Sequence, residues 1–207
     1  QNRKLPGLKT FVNVSFMKMN RPITIISLLM LLLAGCTPSP KEADSSQNSL
    51  QTTESTVLTT LYFVRHAEKH RDEGDDPTLN QKGQVRATAL ACMLKNAGID
   101  AIYSTPYKRT LATGQPLADS LSLQVRKYAP HKDLNEVVDE LLDEHNGERI
   151  LIVGHSTTVP GMLNVLVQEN RYPNLDSGQH DDLFQAIISG KSVQVNHLKN
   201  DCGEYVN

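Results

Sequence analysis

The sequence predicts an α/β three-layer sandwich, with a mostly parallel sheet and helices on both faces. Three observations lead there. Short runs rich in aliphatic and β-branched residues alternate with longer stretches of helical periodicity. Two of the runs, Leu58 to Val64 and Arg149 to Val153, read as strands buried in a core. The stretch with this alternating character is about one domain long and holds no internal repeat.

The first strand ends on Arg65-His66 and is followed by a polar loop from Glu68 to Thr78. Asn80 is the expected N-cap of a helix over 81–96, because its side-chain oxygen can accept from a free N–H of the first turn. Val85, Ala89, Cys92 and Met93 are spaced to form that helix's buried face, and Asn96-Ala97-Gly98 ends it. Ala101 to Tyr103 forms a short strand. Thr105-Pro106 opens a second helix, since proline is tolerated in a first turn, whereas Pro116 further in is expected to bend or interrupt it. Gln124 to Tyr128 is a modest strand. Asp133 to His145 is amphipathic, with Leu134, Val137, Val138, Leu141 and Leu142 on one side. Arg149 to Val153 is the clearest buried strand, and a helix from about Thr157 to Gln168 follows it. Beyond Asn170 the pattern weakens, although 183–188 and 193–197 suit a terminal hairpin.

The N-terminal part has a different character. Met17-Lys18-Met19-Asn20-Arg21 is a basic flank to the apolar run Ile23 to Leu32, which is shorter than the roughly 20 residues a membrane-spanning helix needs. Leu33-Ala34-Gly35-Cys36 closes the run and resembles the lipobox of bacterial lipoproteins. That resemblance implies cleavage before Cys36, lipidation of its thiol and a place in the bacterial cell envelope, on the periplasmic face in a Gram-negative cell. The chain is therefore divided into an upstream extension (1–16, set aside from the native structure), a lipoprotein signal peptide (17–35), a disordered tether (36–58) and one folded domain (59–207). The tether is rich in Ser, Thr, Pro, Gln and Asn and has almost nothing to bury.

Whole, the chain carries 21 basic and 23 acidic side chains. Residues 1–35 hold five of the basic ones and none of the acidic, so 16 basic side chains remain against 23 acidic, a formal charge of −7. Such a balance disfavours nucleic acid as a partner and gives no electrostatic hold on anionic lipid. Any anion site must be a local concentration of cations. Of the cysteines, Cys36 is assigned to lipid, and Cys92 is expected to be a small buried hydrophobe rather than the partner of Cys202.

In parallel sheets, sites lie outside the carboxyl ends of the strands. Arg65-His66, Ser104 and Gly154-His155 are three such ends and should converge. His66 and His70 suggest a metal site, but the zinc-protease patterns place glutamate differently and require a helix, so no metal is expected. Gly154-His155-Ser156 suggests the nucleophile elbow of α/β-hydrolases. That motif needs glycine at 158, where Thr158 stands, and too little chain follows for the rest of a triad.

A third pattern fits every piece. Val64-Arg65-His66-Ala67-Glu68, Asp76-Pro77-Thr78-Leu79-Asn80-Gln81-Lys82-Gly83, Tyr103-Ser104-Thr105-Pro106-Tyr107-Lys108-Arg109-Thr110 and Val153-Gly154-His155-Ser156 come in that order. Together they resemble the signature elements of the histidine phosphatase superfamily, with its phosphoglycerate-mutase-like fold. Asn80 departs from the pattern, replacing the usual hydroxyl residue. The resemblance implies a phosphomonoester hydrolase in which His66 is the nucleophile, Arg65, Arg109 and His155 bind the phosphoryl group, and no cofactor or metal is required. Arginine suits the task because its fork gives charge-assisted hydrogen bonds to a dianion that lysine cannot reproduce. The substrate expected is a small or lipid-linked phosphomonoester, and no obligate protein partner is predicted.

The proton donor to the leaving alcohol is less well marked. Leu134-Asn135-Glu136 matches the family's L-x-E element locally, which makes Glu136 the candidate general acid. Asp133 and Glu68 are alternatives. Other classes stay open: a phosphate-binding or sensory lipoprotein of the same fold, a phosphomutase, or a serine α/β-hydrolase.

Overall fold

The computed structural model describes residues 57–200; residues 17–35 and Cys36, on which the expected signal peptide and lipidation fall, most of the expected tether, and Cys202 lie outside them. Six strands form one sheet in the order β3-β2-β4-β1-β5-β6. They are β1 (Thr59–Arg65), β2 (Ala101–Ser104), β3 (Val125–Lys127), β4 (Arg149–Gly154), β5 (Asp182–Ser189) and β6 (Ser192–Lys199). The first four run parallel, and β5 and β6 are the antiparallel hairpin anticipated at the C-terminus. Four helices link them: α1 (Gln81–Leu94), α2 (Lys108–Leu121), α3 (Leu134–Glu144) and α4 (Thr158–Val167).

Strand period two sorts the core into two layers. Leu61 and Phe63 of β1, with Ile150 and Ile152 of β4, pack with Val137, Val138 and Leu141 of α3 and Met162 and Leu163 of α4. The intervening Tyr62, Val64, Leu151 and Val153 pack with Leu90 and Leu94 of α1 and Leu117 of α2. Both faces of these strands are therefore apolar, as a sheet covered on both sides requires.

Two expectations about the helices are corrected. α1 buries Gly83, Ala87, Ala89, Leu90, Ala91 and Leu94; of the expected face, Ala89 is buried and Met93 packs half-buried on the core, whereas Val85 and Cys92 are exposed. Both faces have helical spacing. The one that packs carries the leucines, which bury more apolar area than valine and cysteine would. α2 starts at Lys108 and runs through Pro116 without interruption. The missing N–H costs about 3 kcal/mol in a helix interior. It is tolerated here because buried side chains anchor the helix on both sides: Thr110 and Thr113 before the proline, Leu117 and Ala118 after it.

Candidate active site

Register brings the site together. Arg65 pairs with Gly154 in the parallel β1–β4 ladder, so His66 and His155 both leave the sheet at the same edge. The His66 N–H donates to Gly154 O at 2.9 Å. Gly154 cannot be larger, because a Cβ there would lie 2.6 Å from Thr158 Oγ1. That hydroxyl accepts from the His155 N–H at 2.8 Å, which gives Thr158 a reason to stand where an α/β-hydrolase needs glycine.

The loop after His66 is held just as closely. Ala67 N–H donates to Thr113 Oγ1 of α2 at 2.9 Å. Asn80 caps α1 by accepting from Gly83 N–H, as expected of an N-cap. Gly83 is required by contact: a Cβ would sit 2.1 Å from Glu68 O. Asp76 accepts from the Lys108 N–H and lies 3.6 Å from Arg109 Nη1, tying the second signature element to the third.

The two imidazole rings stand 5.5 Å apart, edge to face. His66 is nearly buried, at 4% exposure. Its Nδ1 lies 2.8 Å from Ala67 O, which can only accept, so Nδ1 carries the proton and Nε2 keeps a lone pair. Burial, with help from the charges of Arg65, His155 and Arg109, lowers its pKa to about 3. His155 falls to about 4, through burial and then the charges of Arg109 and Arg65. Its Nε2 contacts Thr105 Oγ1 at 2.9 Å, and Tyr107 stacks against the ring edge-on at 5.3 Å. Both imidazoles are thus neutral at pH 7.

Arg109 lies 4.5 Å over the Tyr107 ring. Its Nε and Nη1 are buried and make no hydrogen bond; the Nε of Arg65 is in the same condition. Arg65 Nη1 donates to the carbonyls of Asp176, Ser177 and Gln179. Buried guanidinium donors are seldom left unmatched, and an anion between the imidazoles would match them.

The other candidates are placed elsewhere. Glu68 is engaged by both nitrogens of the Arg86 fork, at 2.8 and 2.7 Å, and by Lys82 at 3.2 Å. Burial raises its pKa, but the Arg86 hydrogen bonds and Lys82 outweigh that and bring it down to about 2. Asp133 caps α3 through Asn135 N–H, which also lowers its pKa. Glu136 projects into solvent from the first turn of α3, 3.9 Å from Lys132, with no contact to either imidazole among the described residues. His70 lies against Glu73 at 3.8 Å, in the loop rather than beside His66. Ser156 offers its backbone carbonyl to Leu175 N–H.

Sequence reasoning missed His180. Its Nδ1 lies 2.8 Å from the His66 carbonyl, and its ring centroid is 5.5 Å from that of His66. Burial, then the charge of Arg65, lowers its pKa. The direction of the last hairpin is the signal that could have found it. β5 is antiparallel to β1, with Leu183 opposite Val64, so the residues just before β5 must lie at the carboxyl end of β1.

With this geometry in place, likeness to known proteins can be stated. Residues 61–137 match the family model of the histidine phosphatase superfamily (branch 1). The family resemblance is real. A phosphoserine phosphatase 1 of Hydrogenobacter thermophilus is 40% identical over 73 residues, covering 32% of this chain and 35% of that protein, so the match spans about a third of the curated relative. A phosphoserine phosphatase variant from Entamoeba histolytica, solved with phosphoserine, superposes with a TM-score of 0.57 at 15% identity, covering 70% of this chain and 98% of that one. The protein histidine phosphatase SixA, solved with tungstate, gives 0.57 at 18% identity, covering 68% and 97%. At such identities the superpositions establish the fold: the chain has the α/β architecture of the histidine phosphatases. Arg65, His66 and Arg109 fall inside the matched segment. His155 falls beyond it and is brought to the site by β4.

Proposed function

We propose that the chain is a metal-independent phosphomonoester hydrolase that works through a phosphohistidine on His66 and faces the bacterial envelope on a lipid carried by Cys36. One observation carries the chemistry: two arginines with buried guanidinium nitrogens that make no hydrogen bond flank two neutral imidazoles 5.5 Å apart. A dianionic phosphoryl group fits between them, and the guanidinium charges supply the field that a metal supplies elsewhere. The leader ending in Leu33-Ala34-Gly35-Cys36 supports the location.

The reaction has two displacements. In the first, the His66 Nε2 lone pair forms a bond to phosphorus as the ester P–O bond breaks, and the leaving oxygen takes a proton. In the second, water attacks phosphorus, the N–P bond breaks and inorganic phosphate is released. Ala67 O holds the Nδ1 proton throughout, so the attacking nitrogen keeps its tautomer. Arg65, Arg109 and His155 stabilise the equatorial oxygens.

For the leaving-group proton, His155 is favoured over the carboxylates. A bound dianion offsets the arginine charges that depress its pKa and lets it take up a proton on binding. Glu68 is held ionised, which leaves Glu136 as the alternative donor. The substrate class is a small or lipid-linked phosphomonoester; the likeness to a phosphoserine phosphatase supports the small one, and the lipid-linked one follows from the proposed anchor on Cys36.

Rapid acid quench with a ³²P-labelled aryl phosphate tests the reading. Wild type should retain label on His66, and His66→Ala should lose both the label and at least about a thousandfold in kcat. Turnover by His66→Ala at the wild-type rate refutes the mechanism. Phosphate affinity without label or turnover would instead identify a binding or sensory lipoprotein.

A further inference from the structure

The chain between α4 and β5 is fastened across the carboxyl end of β1. Leu175 N–H donates to the carbonyl of Ser156, next to His155, at 2.9 Å. Arg65 Nη1 donates to the carbonyls of Asp176, Ser177 and Gln179 at 2.6, 3.3 and 3.2 Å. Gln179 N–H closes a turn on Asp176 O, and the Gln179 side-chain carbonyl accepts from Asp176 N–H. Beyond His180, β5 pairs with β1, Leu183 lying opposite Val64. His180 is thus held on both sides by bonds other than the one it makes to His66.

That one bond acts on a peptide unit. The His66 carbonyl accepts from His180 Nδ1–H at 2.8 Å, since a carbonyl can only accept. The N–H of the same unit, carried by Ala67, donates to Thr113 Oγ1 at 2.9 Å. The planar group between His66 and Ala67 is therefore gripped at its oxygen from the β5 side and at its nitrogen from α2. Turning it would change ψ of His66 and φ of Ala67, and so carry Ala67 O away from His66 Nδ1, which now lies 2.8 Å from it. Ala67 O is the atom that keeps the proton on Nδ1 and leaves the Nε2 lone pair free.

We infer that His180 is a positioning residue for the nucleophile: it fixes the His66–Ala67 peptide and, through it, the tautomer and aim of the His66 ring. The inference rests on His66 being the nucleophile of the hydrolase proposed above, but the tautomer can be read with no substrate present. Without the His180 donor the peptide is held at one end only, and either ring nitrogen of His66 can carry the proton. The Nε2–H form has no lone pair with which to attack phosphorus.

Two-bond ¹H–¹⁵N correlation at pH 7 on the full chain, labelled with ¹⁵N-histidine, reads this directly. The His66 signals are assigned by their loss in His66→Ala, and wild type should show His66 protonated on Nδ1 alone. His180→Leu removes the donor, and His180→Gln places an amide nitrogen over Nε2 instead of Nδ1. In both, the Nε2–H form of His66 should appear, and kcat on an aryl phosphate should fall about tenfold or more. Affinity for inorganic phosphate should change by less than about threefold, because Arg65, Arg109 and His155 keep their places. His180→Asn, whose amide nitrogen overlies Nδ1, should restore the Nδ1–H form and most of the lost rate. Thermal melts check folding, and His180→Gln carries the comparison if His180→Leu does not fold. An unchanged His66 tautomer in folded His180→Gln overturns the inference, as does a loss that His180→Asn fails to repair. If wild type neither retains label nor turns over, the hydrolase falls and the tautomers still decide the role of His180.

Discussion

Two buried histidine clusters in this domain invite comparison. His145, at the end of α3, is as buried as His66, at 4% exposure. Every polar atom of its ring is matched: Nδ1 lies 2.5 Å from Glu148, and Nε2 lies 2.9 Å from Tyr103 Oη. Tyr103 Oη in turn meets Glu144 and Arg126, which pair with each other at 2.7 Å. The network closes on itself. At the other cluster the imidazoles are ringed by cations, three buried guanidinium nitrogens make no hydrogen bond, and both pKa values are driven down. Burial and histidine content do not distinguish the two. Completeness does: the satisfied network spends its polarity on stability, and the unsatisfied one retains it for an incoming anion.

The comparison breaks most visibly at Arg109. Arg109→Lys keeps the charge and loses the fork, and should cost about 10²–10³ in kcat/KM on a simple phosphomonoester. Arg109→Gln removes the charge too, and the pH profile then separates the variants. Arg109 helps hold His155 near 4 and His66 near 3, so its loss raises both. The nucleophile His66 must be unprotonated, and activity is therefore lost as pH falls through its pKa of about 3. The acid limb should stay near pH 3 in wild type and Arg109→Lys, and move upward in Arg109→Gln. An unmoved limb in Arg109→Gln would mean that burial and Arg65 set these pKa values without Arg109.

His145→Ala tests the other side of the contrast. Removing a matched, buried imidazole should cost about 1–3 kcal/mol of stability, read by chemical denaturation. Turnover per folded molecule should stay within about twofold, since the group acts through packing rather than on substrate. A large loss of kcat with unchanged stability would erase the distinction.

How much of this was legible follows from range. Arg65, His66 and His155 could be placed at one edge because strand ends and parallel pairing are local patterns with a general consequence. Asn80 announced a cap that the structure contains. The α1 face was read correctly at Ala89 and Met93 and misread at Val85 and Cys92, because two helical phases were available, and only contact with Leu117 and Val153 across the layer chose between them. The interruption expected at Pro116 does not occur, because its local cost is visible in sequence, whereas the burial that offsets it is not. His180 required knowing that β5 runs against β1. The pairing of Glu68 with Arg86 joins residues 18 apart, and no periodic pattern marks it.

Glu136 carries the smallest expected effect and decides where the proton comes from. A general acid must come within about 2.6–3.2 Å of the leaving oxygen. Glu136 is 67% exposed at its side chain and faces Lys132. If His155 supplies the proton, Glu136→Gln should change kcat/KM by less than about twofold, and equally for alkyl and aryl phosphates. An aryl oxide leaves without assistance, so the aryl ester is the internal reference. A loss of tenfold or more confined to the alkyl ester would make Glu136 the donor. It would also require the first turn of α3 to approach the imidazoles once substrate is bound. The ratio of alkyl to aryl rates in this one variant thus separates an imidazole acid built into the sheet edge from a carboxylate brought to it.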